Sequence, residues 1–274
     1  MPITEYPLVP AASPTGKVET VGVGGQVTDP FGDILHGVWT VPAWLHSFSV
    51  YIVGGGGNDA VDTNDGPVPG PTSPAVFYNV PCTPGDEWLL EGGFGIYHTL
   101  PALAGQRNTY NGGNGTAFFS DLGNAGGGAS VLRRRNGSGT QMFALAAGYG
   151  GDWIVAGTRT AAAVESGVVT YGGLITEPGA GSDGEPSEIG DGAGGGGGWP
   201  GGDHGPTSGT AGIAGGMYLP APNGTQLEGP TSPPFSYVYG DVRPTPWAPS
   251  GVGSVFIWYW PEDMPAGWHV GVGW

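Results

Sequence analysis

Residues 58 to 66 read NDAVDTNDG and place Asp59, Asp62, Asn64 and Asp65 directly after four consecutive glycines. Oxygen donors at that density suit a hard cation such as calcium. The order of an EF-hand fails, however, because Gly66 falls where a fifth ligand belongs and Ser73 where the bidentate glutamate would be. A solvated turn is the reading, and no cofactor is expected; calcium is the ion that Asp59, Asp62 and Asp65 would take if they held one. The second acidic stretch, Asp183, Glu185, Glu188 and Asp191, is read in the same way.

Other catalytic patterns fail on spacing. Gly196 to Gly201 matches G-x-G-x-x-G. In so glycine-rich a chain the pattern arises roughly two or three times by chance, and Pro200 with no helical pattern after it removes the helix N-terminus that a pyrophosphate needs. The single lysine, Lys17, is followed by Val18, so there is no phosphate-binding G-x-x-x-x-G-K-[ST], and G-x-S-x-G does not occur. His36, His46, His98, His204 and His269 form no pair at metal-ligand spacing and are read as surface or rim residues. No catalytic residue is assigned and no enzyme is expected.

Aromatic residues beside glycine or proline are better candidates for a site. Tyr149, Trp153, Trp199, Tyr218 and Trp247 could act as stacking platforms for sugar rings. Singly, each has a plainer use: shielding glycine backbone or packing between subunits. Together they make loop tips the candidate binding site. Arg133-Arg134-Arg135 runs into Asn136-Gly137 and is read as a hairpin rim. Asn114, Asn136 and Asn223 each precede glycine and are read as turns, not glycosylation sites. Cys82 is the sole cysteine, which excludes an internal disulfide, and is read as a small buried residue.

Seven Lys and Arg against 23 Asp and Glu give a net charge of −16, so phosphate-backbone binding is not expected. The 58 glycines and 27 prolines would by themselves suggest disorder, yet 11% of the residues are aromatic, which points to an ordered core with glycine-built loops. The N-terminus has no basic region followed by an apolar one, and no stretch reaches the roughly 18 apolar residues of a membrane span. Neither signal-peptide secretion nor membrane insertion is expected.

The elements that would position these residues read as all-β. Strands are expected at residues 37–42, 48–53, 75–80, 88–90, 116–119, 129–134, 141–146, 167–171, 235–239 and 254–259, between glycine and proline turns. Many short strands with such turns point to a sandwich or barrel-like fold. Arg159 to Val164 offers at most one helical turn. Gly-Pro-Thr-Ser-Pro occurs at 70–74 and again at 229–233, each time before an aromatic strand that should enter a sheet at its first residue or edge. Residues 1–36 are read as an N-terminal arm whose order depends on a partner, 37–260 as the main domain, and 261–274 as a packed tail carrying Trp268 and Trp274.

VWTVPAWLHSFSVYIVGGGG, Val38 to Gly57, resembles the opening of the glycine-rich domain of bacteriophage tail and fibre proteins, where a valine-proline step leads to a strand that dissolves into glycines. The likeness continues through VPCTPGDEW and Gly92 to Gly95, the Gly-Gly-Gly-Ala-Ser step at Gly126 to Ser130 with its arginine strand, the glycine loops at Gly192 to Gly205 and Ala211 to Tyr218, and the closing strand GSVFIWYW at Gly253 to Trp260. Pro200 interrupts the second loop, Ala146-Ala147-Gly148-Tyr149 stands where the family has a longer glycine run, and Trp153 to Glu188 has no clear counterpart.

The resemblance implies an antiparallel, jelly-roll-like β-sandwich whose glycine loops lie side by side as short polyproline II strands. It also implies a virion protein: a minor tail, tail-tip or fibre component contributing to host attachment, usually a homotrimer, docked to other tail proteins through its arm and meeting an envelope glycan or surface receptor. Three copies at −16 each gather −48, so Asp59, Asp62 and Asp65 are expected away from the subunit interface. A glycan-binding lectin-like module and a bacterial cell-surface glycine-rich structural protein are the alternatives.

Overall fold

The computed structural model describes residues 3–7, 11–12, 19–24, 34–56, 75–93, 110, 112, 116–118, 121–123, 126–136, 139–155, 158–160, 168–176, 192–221 and 253–259. Among these residues there is no helix. The strands are β1 (Ile3–Pro7), β2 (Ala11–Ala12), β3 (Glu19–Gly24), β4 (Ile34–Thr40), β5 (Ser47–Val53), β6 (Ala75–Pro81), β7 (Glu87–Glu91), β8 (Thr116–Phe118), β9 (Asp121–Gly123), β10 (Ser130–Asn136), β11 (Gly139–Ala146), β12 (Trp153–Val155), β13 (Thr158–Thr160), β14 (Val169–Tyr171), β15 (Ile175–Thr176), β16 (Met217–Leu219) and β17 (Ser254–Tyr259).

They form three sheets. The largest runs β1-β4-β7-β10-β11-β16-β14, with β15 also on β11; the second runs β2-β3-β17-β5-β6; the smallest runs β13-β12-β9-β8. The second and smallest sheets are antiparallel throughout. The largest is mixed, because β1–β4 and β14–β16 pair in parallel, which corrects the expectation of antiparallel pairing alone. A parallel pair needs a long connection between its strands, and residues 8–33 and 172–216 supply one.

Aromatic and β-branched residues on alternating positions explain the core. One apolar cluster takes Trp39, Trp88, Leu132 and Phe143 from the largest sheet and Val50, Ile52, Phe77, Ile257 and Tyr259 from the second. Three ring pairs meet edge to face, Trp39 and Phe48 at 5.4 Å, Phe48 and Trp88 at 4.9 Å, and Trp88 and Phe143 at 5.5 Å between centroids, while Trp39 stacks on Tyr259 at 5.5 Å. Such pairs add roughly 0.5–1.5 kcal/mol each beyond the area they bury. The opposite face of the largest sheet carries a second cluster of Tyr110, Val131, Met142, Leu145, Trp199 and Tyr218.

The expected strands at 37–42, 48–53, 75–80, 88–90, 116–119, 129–134, 141–146, 167–171 and 254–259 all have counterparts within a few residues. The aromatic strand after the first Gly-Pro-Thr-Ser-Pro is β6, the last strand of the second sheet among the described residues. Residues 235–239 and the tail lie outside the described residues. Within residues 1–36, β1 pairs with β4 and β3 with β17, neither strand having been anticipated. Arg159 and Thr160 belong to β13; the rest of that short candidate helix lies outside the described residues.

Candidate functional site

At one end of the two larger sheets, strands pass into glycine. The registers Val53 with Ser254, Glu91 with Val131, and Ser130 with Ala146 bring Gly54, Gly92, Gly253, Ala129 and Ala147 to that same end. Ser130 ties the sheets together there: its hydroxyl donates to the Val53 carbonyl at 2.6 Å and accepts from the Gly93 N–H at 2.7 Å.

Beyond this staple the chain bonds backbone to backbone without strands. Gly55 N–H donates to Gly128 O, Tyr149 N–H to Gly55 O, Gly127 N–H to Tyr149 O, and Gly197 N–H to Gly127 O, at 2.8–3.0 Å. The spacing is regular. The N–H groups of Ala193, Gly196 and Trp199 donate to the carbonyls of Thr210, Ile213 and Gly216, three residues apart on both sides. Gly148 and Gly151 donate to Gly197 and Gly194, and Gly212 and Gly215 to Gly151 and Gly148, again in steps of three. Segments 192–199 and 210–216 therefore run parallel to each other and antiparallel to 148–151.

Close approach makes glycine obligatory here. A Cβ on Gly127 would come within 3.0 Å of Gly55 and Gly56 backbone atoms, and one on Gly196 would meet the backbone of Gly148 and Tyr149. The G-x-G-x-x-G match at Gly196 to Gly201 is thus part of this lattice: Gly196 and Gly197 use their N–H groups on Ile213 and Gly127.

The described tip of the lattice is the turn from Gly205 to Thr210. Thr210 N–H donates to Thr207 O at 3.0 Å, Thr207 N–H donates to Thr210 Oγ1 at 3.2 Å, and the Thr210 hydroxyl donates to Thr207 O. Gly209 takes φ of +93°, a conformation that favours glycine. Asp203, Pro206, Thr207 and Ser208 are exposed. The tip offers the hydroxyls of Thr207 and Ser208, with the Asp203 carboxylate just before the turn, as groups able to form hydrogen bonds. The turn signature Pro-Thr-Ser-Gly at 206–209 could have located it in the sequence.

Four of the five candidate rings lie inside the chain. Tyr149, Trp153, Trp199 and Tyr218 are 5%, 1%, 9% and 3% exposed, so none offers a ring face to a sugar from solvent. Trp199 and Tyr218 pack with centroids 5.4 Å apart, fastening segment 192–199 onto the largest sheet. The Tyr218 hydroxyl donates to Gly173 O at 2.5 Å, and burial raises its pKa. Trp247 lies outside the described residues, as do Asp59, Asp62, Asp65, the acidic residues at 183–191, Asn114 and Asn223. Among the described residues no group of three or more His, Cys, Asp or Glu could hold a metal ion.

The arginine run lies on β10 in the hairpin with β11, where Asn136 pairs with Gly139. Each arginine meets a carboxylate: Arg133 with Glu91 at 2.9 Å, Arg134 with Asp86 at 2.6 Å, Arg135 with Glu87 at 3.0 Å. Arg133 is buried and its guanidinium lies 5.9 Å from the Tyr110 ring centre. Cys82 is buried, its thiol donates to Leu45 O at 3.7 Å, and burial, with Asp86 adding to it, pushes its pKa up to about 12. His46 is exposed and His204 half-buried; His36 lies in β4, and His98 and His269 are outside the described residues.

No family model matches the chain, and no curated protein matches its sequence at a significant level.

Proposed function

We propose that the chain is a non-enzymatic structural protein of a bacteriophage virion, a minor tail or tail-tip component that contributes to host attachment and works as a homotrimer. In this reading the two larger sheets form a sandwich, and the glycine segments at its end form a bundle of polyproline II strands. The observation that carries the reading is the three-residue step of the hydrogen bonds joining segments 148–151, 192–199 and 210–216. Three residues make one turn of a polyproline II helix, which has no internal hydrogen bonds and so offers its backbone groups to neighbours.

A bundle of this kind holds the Gly205–Thr210 tip on a support made almost wholly of backbone. Loops that only connect strands do not need it, since each glycine costs roughly 0.5–1 kcal/mol of conformational freedom relative to alanine. Rigid presentation of a tip at a surface does. The buried rings favour attachment through tip hydroxyls and backbone over stacking on aromatic platforms. Immunogold labelling with antibody to the purified chain, on particles produced by the genome that encodes it, tests the assignment. Label at the tail tip is expected; particles without label overturn it.

A further inference from the structure

The edge of the largest sheet carries an apolar surface that the lattice and tip do not use. Val169, Tyr171 and the preceding Val168 are 41%, 53% and 47% exposed, and Leu174 is 36% exposed. β14 is the last strand of that sheet among the described residues. Its register pairs Val169 with Met217 and Tyr171 with Leu219, and both of these partners pack against the core between the sheets. Partnered residues on adjacent strands share a face, so the interior apolar layer continues through Val169 and Tyr171 into solvent. Val168 and Thr170 lie on the other face of the same strand, and they too are exposed.

Charge bears on what covers this edge. From Ser166 to Thr176 no residue is charged, in a chain whose net charge is −16. Two copies repel each other wherever their acidic surfaces meet, and the repulsion is least across a neutral stretch. The edge also lacks the lysine or proline that keeps an open strand from pairing with another chain. Residues on both faces of β14 are exposed, and two different patches are what a cyclic trimer uses, one against each neighbour.

We propose that Val168 to Leu174 is the surface through which copies of this chain join, with Val169 and Tyr171 against one neighbour and Val168 against the other. The assignment rests on the trimer of the proposed function. Light scattering after size exclusion tests it on the full chain and on Val168→Glu and Tyr171→Glu. The expected result is a wild-type mass three times 27.6 kDa and a threefold fall to the single-chain mass in each variant, with β-sheet circular dichroism unchanged. A wild-type monomer or dimer overturns the trimer and this surface with it. A trimer that survives both substitutions leaves the trimer standing and overturns only the surface. If a variant does not fold, p-benzoylphenylalanine at position 171 of the otherwise native chain gives the answer. Photocrosslinked products of multiple chain mass support the interface, and crosslinks confined within one chain overturn it.

Discussion

Replacing Gly127 by alanine tests whether the lattice is as tightly packed as its hydrogen bonds imply. The new Cβ would fall within 3.0 Å of Gly55 O, Gly56 O and Gly55 C, all backbone atoms that cannot rotate away. Overpacking of this kind costs about 1–3 kcal/mol. The shift that relieves it must stretch either the bond from Gly127 N–H to Tyr149 O or the one from Gly197 N–H to Gly127 O, and a buried polar group left without its bond costs about 1–3 kcal/mol more. Removing glycine's freedom from the unfolded chain returns about 0.4–1 kcal/mol. The net loss is about 1–6 kcal/mol, and at roughly 2–4 °C per kcal/mol a loss of about 3 kcal/mol lowers the melting temperature by about 6–12 °C. Gly173→Ala is the control, since its Cβ would meet nothing within 4 Å and its backbone is not left-handed. That variant should be neutral or stabilised by up to about 1 kcal/mol. Urea and thermal unfolding of both variants measure the contrast, and a Gly127→Ala protein melting with the wild type refutes the close approach.

Four further outcomes rest on the same physics. Ser130→Ala removes the staple and strands the Gly93 N–H, so urea unfolding should show a loss of about 1–3 kcal/mol. Arg133→Met leaves Glu91 buried without its arginine and should cost about 3–5 kcal/mol, whereas Arg133→Met combined with Glu91→Leu should recover most of that loss in a double-mutant cycle. Arg135→Ala, at the more exposed pair, should cost no more than about 1 kcal/mol. Cys82 should resist thiol reagents until the chain unfolds. Because its folded pKa of about 12 lies above the ordinary 9.0, its contribution is intact below pH 9 and is lost as the pH rises towards 12, by up to about 4 kcal/mol. Cys82→Ala should flatten that part of the stability–pH curve, as read by urea midpoints between pH 8 and 11.

Strand content was legible wherever side chains determine it. SFSVYIV and SVFIWY are β-branched or aromatic at every position but their serines and form β5 and β17, neighbours in the second sheet. Where strands are short or depend on a distant partner, the sequence was silent: ETVGVG forms β3 because β17 supplies a ladder, and no local pattern distinguishes it from a loop. Parallel pairing of β14 with β16 was equally hidden, since nothing in VTY says that a strand more than forty residues later will lie beside it. Arg133, Arg134 and Arg135 could be placed on a hairpin from Asn-Gly alone, but their carboxylate partners come from the antiparallel alignment of β7 with β10.

The four candidate rings within the described residues are buried for a reason that concerns glycine itself. A tryptophan flanked by glycines reads as exposed if the glycines are flexible loop, because nothing nearby in sequence could cover it. Here Trp199 and Tyr149 are covered, since segments without side chains can close on one another and on the sheet to backbone contact. The same absence of Cβ atoms that removes every periodic signal from residues 192–216 lets those residues bond in steps of three. Side chains reach the surface of that lattice at its turn, as Pro206, Thr207 and Ser208 do, and on its flank, as Ile213 does. Under the proposed attachment role, the groups this end presents at its turn are the Thr207 and Ser208 hydroxyls on a backbone support, and substitutions there should weaken binding to host cells while leaving the melting temperature nearly unchanged.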